Sequence, residues 1–570
     1  MAARLHTCML CEAVCGLAVE MDGATVKGVR GDADDPFSRG HICPKAAAIA
    51  DVQGDPDRIR EPQRREGERW RAVSWDAALD EAGERLAAVQ RKHGRSAVAF
   101  YLGNPSVHSY SAMLGVPFFS RALGTRTRFS ATSVDQLPHM LAALEMFGHQ
   151  LLLPVPDVDR TRFFLMLGAN PRASNGSLMT AGGISRRLDE LRERGGKLVV
   201  VDPRRTETAA EADQHFAIRP GTDALLLLAI LHVLFEEGRA DLRHLAPFTD
   251  GLASLREAAA RFPPERVAER TGIPAREIRE LARAFAAAPS AVAYGRVGAS
   301  TQEFGGLAAW LVIALNAVTG NLDREGGFLF TSPAADLVGL SARMGDHGHF
   351  AAWRSRVRSL PEFGGELPAA TLAEEIDTPG DGRIRALVTF AGNPVLSTPN
   401  GARLERALSA LEYMVSIDLY RNETTRHANL ILPTSFGFER DHYDVVFYTL
   451  AVRNAARYVK RLVKGPPGCV LLMHPEDAAE RGLRPGARAR VESRVGSVEV
   501  PVGVTADVAR GVVSLPHGWG HTRQGAALGV ASAHAGASLN DLTDEQSVDA
   551  LSGNAAFSGV PVSVTRAELD

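Results

Sequence analysis

Residues 162–171, RFFLMLGANP, set a short apolar run against a turn that opens on glycine and closes on Asn-Pro, and residues 384–394, IRALVTFAGNP, follow the same plan. Short apolar runs bounded by turn residues read as buried strands. More of them lie along the chain. Ser96 to Leu102 (SAVAFYL) leads into Gly103-Asn104-Pro105, Lys197 to Val201 (KLVVV) into Asp202-Pro203-Arg204, and Ser290 to Tyr294 into Gly295-Arg296, while Met414 to Ile417 (MVSI) ends at Asp418. Helical segments alternate with them. Trp75 to Gly94 is amphipathic, with Ser74 placed as N-cap and Gly94 at its end, and Ile184 to Arg194 is a second. Strands alternating with helices predict parallel α/β sheets that take ligands at the carboxyl ends of their strands, where the Asn-Pro turns fall.

The N-terminal residues carry a different signal. Four of the five cysteines are Cys8, Cys11 and Cys15 in HTCMLCEAVC and Cys43 in GHICPK. One knuckle reaching three corners, with a fourth thiol returning from a long loop, suits a [4Fe-4S] cube. Zinc more often takes two separated C-x2-C knuckles. A disulfide scaffold would not crowd its few cysteines at one end of so long a chain. Cys469, in the apolar run GCVLLM, reads as a small buried hydrophobe. Lys45 follows directly in CPK; a lysine there can stabilise an added electron, and a solvated surface position is its plain alternative.

A chain of 570 residues exceeds one core and divides into about three or four domains. Apolar residues make up 45% and charged residues 23%, as in globular proteins, and a net charge of −3 offers no field for nucleic acid or an acidic membrane. The longest apolar runs, 224–235 and 307–318, fall short of the roughly eighteen residues that span a bilayer, so buried helices are expected and direct membrane insertion is not. MAARLHTC shows neither twin arginine nor an apolar leader core, which makes a cytoplasmic protein the expectation. Residues 16–31 alternate around Asp22-Gly23 as a hairpin, and from about Leu462 onward short alternating segments with glycine turns predict a β-barrel. Between 334 and 375 the charged, weakly patterned sequence predicts a surface excursion.

Together the motifs resemble, over nearly the whole chain, the molybdopterin guanine dinucleotide oxidoreductases, the dimethyl sulfoxide reductase family. The matching segments are CMLCEAVC with CPK, SATSVDQLP, GANP, DPRRTETAAEAD, RPGTDALLLLAI, NAVTGNLDREGG, GNPVLSTPN, ETTRHANLILP, HGWGH and SGNAAFSGVPV. The resemblance implies a [4Fe-4S] cluster and two molybdopterin guanine dinucleotides around one molybdenum or tungsten. It also implies a division into a small β-rich cluster domain at 1–60, an α/β core at 61–460 and a dinucleotide-binding β-barrel at 461–570. The core would hold two interleaved domains, roughly 61–140 with 330–460, and 141–330.

The same resemblance assigns roles. Asp202 and Asp418, at strand ends, would accept the guanine N–H donors, with Arg204 beside the first; a turn cap is the plain alternative for either aspartate. Gly221 would permit close approach, Asp223 would accept from guanine or ribose, and Asn170, Gly392 and Asn393 would meet phosphate through turn backbone. His517, Trp519 and His521, with Asn540 and Asn554, would face the pterins. Aligning Pro138 with the proline that follows the Cys-His pair of formate-oxidising relatives puts Asp135 on the metal, with Ser133 as runner-up. A carboxylate, a hard oxygen donor, suits a high-valent oxo-metal and argues against formate. His108 and His139 are candidate acids or bases, with surface positions as the plain alternative.

The implied activity is a two-electron reaction on a small substrate, with electrons passing by Lys45 and the cluster to an external carrier or redox subunit. A non-redox hydratase of the acetylene-hydratase type and a non-catalytic electron-transfer subunit stay open beside it. The chain is shorter than most catalytic members, which leaves the substrate undetermined.

Overall fold

Phe163–Leu167 is apolar at every position and buried at every position, as a strand covered on both faces must be. It stands inside a four-stranded parallel sheet ordered Gln214–Phe216, Lys197–Val201, Phe163–Leu167, Val292–Gly295. The structure is a computed structural model that describes residues 4–567 apart from 24, 177–178, 180, 332–335 and 441–467.

A seven-stranded sheet runs Arg69–Ala72, Gln63–Glu66, Leu430–Leu432, Tyr413–Ile417, Ala386–Phe390, Val98–Leu102, Arg128–Ser130. Its last five strands are parallel neighbours, and the first two are an antiparallel hairpin on one edge. The chain thus begins this sheet, leaves to build the four-stranded one, and returns to finish it. In each sheet parallel pairing brings the strand ends that carry the turn residues to one edge: Leu167, Val201 and Gly295 in one, Leu102, Phe390 and Ile417 in the other.

The two apolar runs form the helices Asp223–Glu236 and Gly305–Val318, buried nearly all round and packed on each other. Asn316 sits fully buried in the second. Its amide donates to Ala293 O at 2.8 Å and accepts from Ala293 N at 2.9 Å, tying the helix to Val292–Gly295. None of the described helices is long and apolar enough to cross a membrane.

The N-terminal hairpin Gly16–Asp22 with Thr25–Gly31 turns through Gly23 at φ +58°, and Arg4–Thr7 adds a third strand. The C-terminal part is a five-stranded half-barrel ordered Val513–Ser514, Leu471–Met473, Ser497–Val504, Arg488–Glu492, Ser563–Arg566. The expected start of this part, near Leu462, and the boundary at 460–461 lie outside the described residues.

The segment from 334 to 375 departs from expectation. Its later half is interior: Leu367, Leu372 and Ala373 join the core of the seven-stranded sheet. Three of its acids are buried against basic partners: Glu374 and Glu375 pair with Arg358 at 2.7 Å and Arg356 at 3.3 Å, and Glu362 lies 2.8 Å from His349. Pairing removes the cost that composition alone assigns to burying charge.

Candidate active site

The knuckle closes on itself through Cys8 N–H to Cys15 O at 2.9 Å and Val14 N–H to Cys11 O at 3.2 Å. Cys8, Cys15 and Cys43 are buried and Cys11 lies at the rim, all as free thiols. Burial pushes the Cys8 thiol well up, Cys11 to about 11 and Cys15 to about 12, and the neighbouring thiols push each in the same direction. Four thiols near enough to raise one another in a poorly solvated place rest as neutral S–H groups, and a metal group that bound them as thiolates would relieve that mutual repulsion, which is the fit expected of an iron–sulfur site. Among the described residues no group of three or more His, Cys, Asp or Glu side chains could hold a single metal ion. Lys45 is exposed and acts electrostatically on Cys11. Gly182 packs against the quartet from the neighbouring sheet domain: a Cβ there would stand 3.3 Å from Cys15 Sγ.

Asp135 ends a one-turn helix, Ala131–Val134, that follows the edge strand Arg128–Ser130. Its carboxylate accepts from Arg296 Nη1 at 2.6 Å, a partner 161 residues away at the end of Val292–Gly295. The pair spans the carboxyl edges of the two sheets. Arg296 also senses the charges of Tyr294 and of Glu12, the residue after Cys11, so the quartet and the Asp135 loop share one electrostatic neighbourhood. Ser133 is occupied elsewhere, its Oγ accepting from Ala369 N at 2.8 Å and its carbonyl from Ala555 N at 2.8 Å. Ser130 caps the same turn and donates to Glu366, whose carboxyl burial pushes up to about 7. The loop is braced on three sides. Neither histidine lies on the surface. His108 is 1% exposed, and His139 is pushed down to about 4 by burial first and by Arg296 second.

The strand-end residues form two matching sets. Asn170 Oδ1 accepts from Thr208 Oγ1 at 2.8 Å, while its amide donates to Glu207 at 2.6 Å. Asn393 accepts from Thr424 at 2.7 Å and donates to Glu423 at 2.7 Å. The backbone N–H two residues beyond each asparagine, of Arg172 and Val395, donates to the same threonine. Sequence reasoning missed these glutamates and threonines. The signal was present, since Asp202 and Asp418 each open a D-x-x-R-x-E-T pattern, DPRRTET and DLYRNET. The sets differ in burial: Glu207 is exposed beside Arg204 at 3.5 Å, whereas Glu423 is fully buried and accepts from His521 at 3.0 Å.

Asp202, Asp223 and Asp418 are each pushed up to about 6 by burial. Asp202 accepts from Arg204 N at 2.9 Å, and Asp223 from Gln302 at 2.7 Å. Asp418 accepts from Leu419 N at 2.6 Å, Tyr420 N at 3.2 Å and Asn422 at 3.3 Å. Asp202 and Asp223 lie close enough for the first to raise the second. Asp223 is buried and Asp202 and Asp418 are half-buried, and poorly solvated carboxylates met by neutral N–H groups suit a ligand edge rich in donors, as guanine is. Gly221 takes φ +84° with open space where a side chain would stand. Gly392 is required by packing, since a Cβ would meet the Tyr101 ring at 2.8 Å and Gly103 Cα at 3.0 Å.

The C-terminal part closes over both halves, pairing Val508 with Arg204 and Ala527 with Arg421. His517 is exposed, and Trp519 packs in that part's own core, its ring against Gly468 and Gly536. Asn540 donates to Leu396 O at 2.5 Å, beside the Asn393 turn. Asn554 is fully buried; its amide donates to Ala555 O at 3.0 Å and its Oδ1 lacks a partner among the described residues.

Comparison with known proteins gives three family matches. The model for molybdopterin oxidoreductase matches residues 58–453, that for the Molydopterin dinucleotide binding domain 451–561, and that for the molybdopterin oxidoreductase Fe4S4 domain 5–54. The thiosulfate reductase molybdopterin-containing subunit PhsA of Salmonella typhimurium is 27% identical over 459 residues, 76% of this chain and 58% of that protein. Formate dehydrogenase H of Escherichia coli is 26% identical over 473 residues, 80% of this chain and 64% of that one. The assimilatory nitrate reductase catalytic subunit of Bacillus subtilis is 27% identical over 425 residues, 71% of this chain and 58% of that one. The chain thus spans 58% to 64% of the length of these relatives. Acetylene Hydratase from Pelobacter acetylenicus shares the fold, with a TM-score of 0.82 at 18% identity covering 99% of this chain and all of that one.

Proposed function

The chain belongs to the molybdopterin oxidoreductase family, and on that premise we propose that it catalyses a two-electron reaction on a small substrate and exchanges the electrons with an external carrier. The observation that carries the reading is the arrangement of three features. The Asp135–Arg296 pair and two matching sets of strand-end residues lie at the carboxyl edges of the two sheets, and the thiol quartet adjoins them electrostatically, through the action of Glu12 on Arg296.

In this reading Cys8, Cys11, Cys15 and Cys43 hold the [4Fe-4S] cluster, and Lys45 is the cation between it and the nearer pterin. Asn170, held by Thr208, and Asn393, held by Thr424, shape the strand-end turns that meet the two diphosphates, while Asp202, Asp223 and Asp418 accept guanine and ribose donors. His517, His521, Asn540 and Asn554 line the pterin side. Asp135 is the side-chain ligand of choice over Ser133, whose hydroxyl oxygen is already engaged by Ala369 N–H. When bound, the metal and its pterins supply the two-electron centre and the cluster passes electrons singly. Arg296 holds the Asp135 carboxylate in place and sets a buried positive charge beside it. The relatives' names state thiosulfate, nitrate and formate, all small oxyanions, and Arg296 is the cation such a substrate would meet.

Anaerobically purified protein should contain molybdenum or tungsten and guanine nucleotide near stoichiometric amounts, and should turn over a small oxyanion coupled to a viologen dye. Turnover that needs no electron acceptor, or protein lacking both metals, would refute the reading. Asp135→Ala should keep nucleotide and iron while altering the metal's EPR signal. A cytoplasmic location belongs to the same proposal, and cell fractionation tests it.

A further inference from the structure

The turn that ends at Asp135 is held by a chain of hydrogen bonds whose far end is a carboxyl on another segment. Asp135 N–H donates to Thr132 O at 3.2 Å, and Thr132 N–H donates to Ser130 Oγ at 3.0 Å. A hydroxyl has one hydrogen to give, and that of Ser130 goes to Glu366, 236 residues away. A tight hairpin presents Glu366: Phe363 and Glu366 exchange backbone bonds of 2.9 and 3.0 Å across Gly364 at φ +56° and Gly365 at φ +93°. The next residue fixes the register, Leu367 N–H donating to Arg128 O at 2.7 Å on the edge strand that leads into the turn.

A carboxyl is a costly choice for this place if its task is packing alone. Part of the residue reaches the surface, yet its carboxyl is poorly solvated, and burial pushes it up to about 7 against the opposing effects of Ser130 and Arg128, with Glu362 adding to the rise. An amide or an apolar side chain would fill the same space with no ionisable group to desolvate. What the carboxylate adds is strength. A hydrogen bond to an ionised acceptor is roughly twice as strong as a neutral one, and successive hydrogen bonds polarise one another. Two further contacts of the turn come from neutral groups, Ala369 N–H to Ser133 Oγ at 2.8 Å and Ala555 N–H to Ser133 O at 2.8 Å.

We propose that Glu366 is a positioning residue: acting through Ser130 and Thr132, it fixes the backbone of the turn that presents Asp135 to the metal. Arg296 grips the Asp135 carboxylate itself at 2.6 Å from the end of Val292–Gly295, so the side chain and the backbone of one residue are held from different sheets. Neither hold replaces the other. A side chain gripped at its tip can still be carried by a turn that shifts, and a fixed turn can still swing its side chain. The positioning of a ligand rests on the reading of Asp135 as the metal's ligand; the hold of Glu366 on the turn does not.

The test is hydrogen exchange of the full chain at pH 8, where the Glu366 carboxyl is ionised, read by mass spectrometry on peptides covering the turn. Glu366→Ala, Glu366→Gln, Ser130→Ala and the Glu366→Ala, Ser130→Ala double variant stand beside the wild type. Turn amides should exchange at least about tenfold faster in Glu366→Ala, and by a smaller factor in Glu366→Gln, which still accepts from Ser130. The double variant should exchange no faster than Ser130→Ala, since both substitutions cut one chain. Wild-type exchange in a Glu366→Ala protein of native circular dichroism, or effects of the two substitutions that multiply, would overturn the proposal. On the metal-loaded enzyme, Glu366→Ala should alter the metal's EPR signal, with Glu366→Gln closer to the wild type and the cluster's signal unchanged. A loosened turn beside an unaltered metal signal overturns the positioning role, and Asp135→Ala then tells why. A signal that Asp135→Ala also leaves unaltered sinks the reading of Asp135 as ligand, whereas one that it alters leaves that reading standing without Glu366.

Discussion

Replacing Asp418 by asparagine should stabilise the cofactor-free protein at alkaline pH and weaken its hold on guanine nucleotide. Burial raises this carboxyl from 3.8 to about 6, so the folded chain binds the proton more tightly than the unfolded chain does. The resulting stabilisation is complete below the unfolded value and is lost as pH rises through about 6, because the group must then ionise in a poorly solvated place. At about 1.4 kcal/mol per pH unit the displacement amounts to about 3 kcal/mol. Asparagine never ionises and still accepts from Leu419 N and Tyr420 N. Its new amide, however, would point at the Asn422 amide now 3.3 Å from Asp418, and Asn422 cannot turn because its Oδ1 accepts from Thr424 N and Thr425 N. A donor facing a donor costs about 1 kcal/mol, which leaves a net gain of about 2 kcal/mol at pH 8 and a loss of about 1 kcal/mol at pH 4. Hydrogen exchange of the Tyr413–Ile417 strand reads this locally: the variant should exchange roughly thirtyfold more slowly at pH 8, after correction for intrinsic rates, and faster at pH 4. Parallel pH curves for the two proteins would refute the assignment of a raised, buried carboxyl. Isothermal titration with GDP should show weaker binding by the variant, since one oxygen can no longer accept a guanine donor.

Gly392→Ala should lower the thermal midpoint by an amount corresponding to about 1–3 kcal/mol, because its methyl group would press on the Tyr101 ring and the Gly103 backbone; calorimetry checks it. Cys11→Ser should lose iron and the visible absorbance near about 400 nm that thiolate-bound iron gives, yet keep its far-ultraviolet circular dichroism, since the two parallel sheets are built without the quartet. Glu423→Gln should bring His521 back toward its ordinary titration. The hydrogen bond that His521 donates to Glu423 raises that histidine above 6.5, so its pairing stabilises fully below pH 6.5 and fades as pH passes the raised value; thermal melts of wild type and variant should converge at alkaline pH.

Much of this protein was legible in the chain itself. Ser74 caps the helix Trp75–His93, Gly94 ends it, and Gly23 turns the first hairpin, because caps and turns are decided by neighbours a few residues apart. The buried strands and the two apolar helices were announced by runs of apolar residues, and the thiol quartet by its spacing. The turn aspartates and asparagines were visible as strand-end residues, and the repeated D-x-x-R-x-E-T pattern that completes each set was visible too, though its meaning was not.

Only the tertiary structure decided which distant groups meet. No local pattern pairs Asp135 with Arg296, Asn170 with Thr208, or Glu423 with His521, whose separations are 161, 38 and 98 residues. Nor does composition tell that Glu374 and Glu375 are buried, since a charge enters the interior only when a partner arrives from another part of the chain. A small cavity lined by His139, Tyr294 and apolar side chains belongs to the same class. It exists because two helices and a strand end pack with a gap between them, and a gap is a property of the assembled core that no sequence window contains.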